Sequence, residues 1–158
     1  MKVVTIMNYP DKKEENTMCG IWMKQTRKYF PSNTIIEVYY EDSISEKIRS
    51  FADKYNINLI EKDRSNLINF GQHPDAKKAT HNVNFKLYNL CRIQVPFIFI
   101  DADAFILTSP EPIISASKDK GFIAINHQNI PGQTDHLREP VLNSGVMIIS
   151  DPSILDWD

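Results

Sequence analysis

Two aspartates one residue apart, Asp101 and Asp103, close a run of four apolar residues in the stretch Phe97-Ile98-Phe99-Ile100-Asp101-Ala102-Asp103. An ionised carboxylate is costly to desolvate unless something pairs with it, and two neighbouring carboxylates repel as well. Side chains at i and i+2 past a strand end reach one side when the turn bends them together. Such a pair is either a solvated turn or the anchor of a cation. A hard divalent ion, Mn²⁺ or Mg²⁺, takes oxygen ligands and often combines one or two carboxylates with substrate phosphates. Asp-x-Asp alone is a common exposed turn; at the end of a buried strand it points to a metal.

The elements that must position this pair alternate along the chain. Residues 2–7 form a β-branched run that reads as a first strand. From Thr17, with Asn16 or Thr17 as N-cap, the residues Met18, Ile21, Trp22, Gln25 and Tyr29 recur at helical spacing. Further strands are expected at 34–40, 57–60, 97–100, 121–125 and 145–150, with a short run at 105–107. Ser43 with Glu46 resembles a capping box for a helix carrying Ile44, Ile48, Phe51 and Tyr55. Another helix is expected where Val83, Leu87, Leu90 and Cys91 share a face. Apolar strands separated by helices imply an α/β fold, a mostly parallel sheet covered on both faces. Ligands of such sheets sit beyond the carboxyl ends of the strands. The first loop (8–16) and the Asp-Ala-Asp turn would then share a rim.

Composition bounds the rest. At 158 residues the chain is expected to be a single domain over 1–158. A net charge of -2, with its Lys and Arg scattered, gives no reason to expect nucleic acid as a partner. Neither a signal peptide nor a membrane span is expected, and the cytoplasm follows as the default location. Cys19 and Cys91 read as reduced thiols inside helices, and the four histidines have no ligand spacing. Asp151 and Pro152 read as the start of a helix that stops within two turns, so the C-terminal part of the design is expected to be missing.

Three segments together resemble a known family. "VVTIMNY", "NFKLYNLCRIQVPFIFIDADAFIL" and "VLNSGVMIIS" are similar, in order and spacing, to the nucleotide-sugar-binding part of GT-A glycosyltransferases, closest to the retaining, glycogenin-like group. The resemblance implies a Rossmann-like GT-A fold and transfer of a sugar from a nucleotide-diphosphate donor, commonly UDP-linked, with retained anomeric configuration. It implies that Asp101 and Asp103 hold the metal and that Ile6, Asn8 and Tyr9 line the base and ribose pocket. Lys86 matches a lysine near the donor, and Lys77 stands where a second basic contact is expected. Ala102 joins the donor-binding set, Asn143 and Ser144 would face the donor sugar, and Gly145 would allow close backbone approach. The acceptor is left open, as is assembly into a homo-oligomer. The family's histidine metal ligand and its acidic-plus-glutamine motif belong past the Asn-Ser-Gly strand, where only 13 residues follow Gly145.

Other readings of the same residues stand beside this one. Lys86 also suits an exposed helix lysine, and Asn143-Ser144-Gly145 also suits a turn opening a strand. A non-catalytic nucleotide-sugar-binding or structural module would carry the same motifs. The run "FIFIDADAF" further resembles the first motif of haloacid-dehalogenase phosphatases. Phe105 departs from that pattern, and the α/β unit before the motif would be unexplained.

Overall fold

The computed structural model describes residues 1–7, 13–41, 44–62, 90, 92–127, 141–151 and 153, with the backbone alone at 13–16, 125–127 and 141–144. Six strands, β1 (Lys2–Ile6), β2 (Ile36–Glu41), β3 (Asn58–Lys62), β4 (Phe97–Ile100), β5 (Phe122–His127) and β6 (Val141–Ile149), form one sheet. Three helices, α1 (Lys13–Tyr29), α2 (Glu46–Tyr55) and α3 (Glu111–Ala116), accompany it. The strand order is β3-β2-β1-β4-β6-β5. β1 runs parallel to β2 and β4, and β2 parallel to β3; β6 is antiparallel to both β4 and β5. This is the mixed α/β sheet flanked by helices that the apolar pattern implies.

β4 shows why the pattern is continuous rather than alternating. Phe97 and Phe99 are fully buried on one face, Ile98 and Ile100 almost fully on the other. The first core gathers Val3, Val38, Ile98, Ile100 and Ile148 with Cys19, Trp22 and Met23 of α1 and Ile48 and Ala52 of α2. The second gathers Val4, Ile6, Tyr39, Phe97, Phe99 and Ile149 with Leu90 and Ile93. Each large apolar side chain so buried contributes about 1.5–3 kcal/mol, so β4 is a seam between two cores.

Helix details differ from the expectation in physically readable ways. α1 begins at Lys13 and not after Thr17. Its buried stripe is Cys19, Trp22, Met23 and Thr26, while Ile21 is exposed. Gly20 lets the two helices close up, since a Cβ there would stand 3.1 Å from the Phe51 ring. α2 is capped by Ser45, whose hydroxyl accepts from the Ile48 amide at 3.3 Å; Ser43 lies outside the described residues. It ends at Asn56 in the left-handed region, φ 51°, a conformation Asn tolerates. The run 105–107 is not a strand, and α3, with Pro110 as N-cap and Pro112 in its first turn, appears where no helix was expected. Of the helix expected around 83–91, only Leu90 is described, and it is helical and buried.

One side chain ties together the edge where the parallel strands begin. Arg27 donates Nε to the Tyr55 carbonyl at 2.8 Å, Nη2 to Asn56 at 2.6 Å, and Nη1 to Pro31 at 3.0 Å and Thr34 at 3.1 Å. It thereby joins the end of α1, the turn before β2 and the end of α2. Removing it would strip several carbonyls of a charged donor. Arg27→Ala should cost about 3 kcal/mol of stability, read as a lower urea midpoint, and Arg27→Lys should recover only part of it.

Candidate functional site

Parallel β1 and β4 end side by side. Their register pairs Val4 with Phe99, so two residues further on Ile6 is level with Asp101. At that point β4 stops and the chain turns, with the Ala104 amide donating to the Asp101 carbonyl at 2.9 Å. The Asp101 amide donates to the Gly145 carbonyl of β6 at 2.7 Å, which fixes the first carboxylate-bearing residue to the sheet on its other side. Asp101 and Ala102 are partly buried and Asp103 is exposed. The turn thus carries one carboxylate at the sheet edge and one out to solvent.

β6 is shaped around this turn. It keeps unbroken step with β4, from Phe97–Ile149 to Ile100–Val146. Against β5 the register jumps from Ala124–Met147 to Ile125–Asn143, a slip on the β6 side. Bulges of this kind bend a strand and re-aim its residues. Asn143 and Ser144 lie in β6 just beyond the residue bonded to Asp101, and the strand begins at Val141 rather than at 145.

The remaining expectations divide cleanly. Ile6 is buried in the second core, so what it presents to the rim is the end of β1, where the Met7 amide donates to the Tyr39 carbonyl at 2.8 Å. Asn8, Tyr9, Lys77 and Lys86 lie outside the described residues. Among the described residues no group of three or more His, Cys, Asp or Glu is placed to hold a metal. Asp101 and Asp103 are the two carboxylates of the turn. That pair suits a hard cation completing its shell with phosphate and water oxygens.

Glu41 was not singled out from the sequence. It ends β2 on the same edge, is 1% exposed and pairs in register with Lys62. A strand running one residue further than its apolar run was the available signal. On that face Lys2 Nζ lies 3.0 Å from Glu37 Oε2, to which the Tyr39 hydroxyl donates at 2.9 Å. Burial, then the bond to and the charge of Glu37, push the Tyr39 hydroxyl well above its ordinary pKa. It therefore stays neutral beneath Lys62 Nζ, which sits 5.5 Å from its ring centroid.

No family model matches this chain, and no curated protein matches it either. Among solved structures, the apo form of mouse xyloside xylosyltransferase 1 is similar, with a TM-score of 0.57 at 14% identity. The likeness covers 98% of this chain and 73% of that one. At such identity the likeness speaks for the fold, which this chain shares with that structure.

Proposed function

We propose that the chain is a metal-dependent, retaining glycosyltransferase domain that takes a UDP-linked sugar at the Asp101–Asp103 turn. The observation that carries the reading is the pinned turn at the carboxyl edge of β4, on a sheet of glycosyltransferase topology. Two carboxylates delivered there suit Mn²⁺ or Mg²⁺ bridging to a diphosphate. Metal bound at that pair supplies Lewis-acid stabilisation of charge on the departing diphosphate. In this reading Asp101 is oriented by the hydrogen bond from its backbone amide to the Gly145 carbonyl, and exposed Asp103 reaches the ligand side. Ile6, Asn8 and Tyr9 hold the base and ribose, Lys77 and Lys86 offset diphosphate charge, and Ala102, Asn143 and Ser144 contact the donor sugar. No described helix is long and apolar enough to cross a membrane; the cytoplasm remains the proposed location.

Calorimetric titration with UDP, with and without Mn²⁺, tests the binding step. Wild type should bind UDP with Mn²⁺ and lose about tenfold or more in affinity without it. Asp103→Ala should remove the metal-dependent part while keeping the thermal midpoint, because the side chain is exposed. Equal affinities for both proteins in Mn²⁺ would sink the metal role.

Donor choice and stereochemistry are read separately. UDP-xylose is the first donor to screen, since the structural neighbour is a xylosyltransferase. An α-configured donor should give an α-linked product by proton NMR; a β-linked product would exclude retention.

A further inference from the structure

The layer between α1 and the sheet holds polar side chains in apolar company. Thr5 of β1 is 0% exposed, and Trp22 and Thr26 of α1 are 1% exposed. Among the described residues none of Thr5 Oγ1, Trp22 Nε1 and Thr26 Oγ1 has a hydrogen-bond partner. Register places them together. Val3 and Met7 belong to the first core, Val4 and Ile6 to the second, so the alternation of a strand turns Thr5 toward the first. Thr5 pairs with Val38 and, one step past the Val4–Phe99 pair, stands level with Ile100. Its neighbours on that face of the sheet, Val3, Met7, Val38 and Ile100, all share the first core with Trp22. Thr26 follows Trp22 by one helical turn, on the same buried stripe of α1.

We infer that a single internal water is bound between α1 and β1, with Thr5, Trp22 and Thr26 as its partners. A buried donor or acceptor gives up its solvent bonds on folding, and native interiors nearly always replace them, by protein groups or by ordered water. The three groups also match the valence of one water. An indole N–H only donates, whereas a threonine hydroxyl donates and accepts. Water accepts from Trp22 Nε1 and gives its two protons to Thr5 Oγ1 and Thr26 Oγ1. Three hydrogen bonds is about the usual number for a buried water. Every orphaned atom of the layer is then satisfied by one molecule, and α1 is seated on the sheet through a polar bridge inside an otherwise apolar core. The site lies on the helix-covered face of the sheet and owes nothing to the transferase reading.

NMR of the full chain tests the site. In a nitrogen-edited NOE spectrum the Trp22 indole proton, told from that of Trp157 by Trp157→Phe, should show a cross-peak at the water frequency. Hydroxyl protons exchanging with solvent can imitate that peak, so relaxation dispersion of the water oxygen is the second measurement. The chain should hold one long-lived water more than its Thr5→Val, Thr26→Val double variant. Stability supplies a sign. Valine in place of a bridged threonine strips the water of a partner, so each single variant should melt about 2–4 °C lower. Valine in place of a truly orphaned hydroxyl should instead raise the midpoint. The inference is overturned if the Trp22 indole shows no water cross-peak, a result that needs no variant to fold. An equal number of long-lived waters in the chain and the double variant overturns it, as does a midpoint that rises in both single variants.

Discussion

The hydrogen bond from the Asp101 amide to the Gly145 carbonyl, 2.7 Å long, is the contact on which the rim of this sheet depends. β4 is buried on both faces, so nothing polar can leave it sideways, and its charge emerges only at its end. That end needs a partner for its last backbone donor, because a buried amide without one costs as much as a lost hydrogen bond. β6 provides it while running in the opposite direction. The reversed strand brings the Asn143-Ser144-Gly145 segment to the Asp101-Ala102-Asp103 turn, although some forty residues separate them in the chain.

The sheet edge and its opposite perform different duties. Where β2 and β3 begin, Arg27 of α1 gathers backbone carbonyls from the turn before β2 and the end of α2. Where the parallel strands end, carboxylates are presented and Glu41 is buried in line with them. Tyr39 and Lys62 join the two regimes on one face, through a hydroxyl kept neutral and a cation held over a ring.

Much of this was legible because it follows from local rules. Four apolar residues in a row cannot be half-exposed, so "FIFI" announced an interior strand and gave its aspartates an edge to occupy. The parallel order of β1, β2 and β4 followed from helices lying between strands. Less legible were features set by tertiary partners. No helix is expected at 111–116 from the apolar spacing, yet proline is tolerated in a first turn, and α3 forms there. Residues 105–107, a short apolar run by composition, join no strand of the sheet. The slip between β5 and β6 left no compositional mark at all. Ile6 could be placed at the rim by sequence, whereas its burial in the second core depends on Tyr39 and Ile93.

That slip has a consequence for how the fold can vary. β6 counts in step with β4 along its inner half, yet its outer half is keyed to β5 by a separate register. An insertion or deletion in the connection between β5 and β6 can therefore be absorbed at Ser144–Val146 without moving the Asp101 bond. Related chains are free to lengthen or shorten this border of the site while the carboxylates keep their place. The irregular strand acts as an expansion joint, letting a lineage remodel the rim beside the turn and leave the β4 anchor untouched.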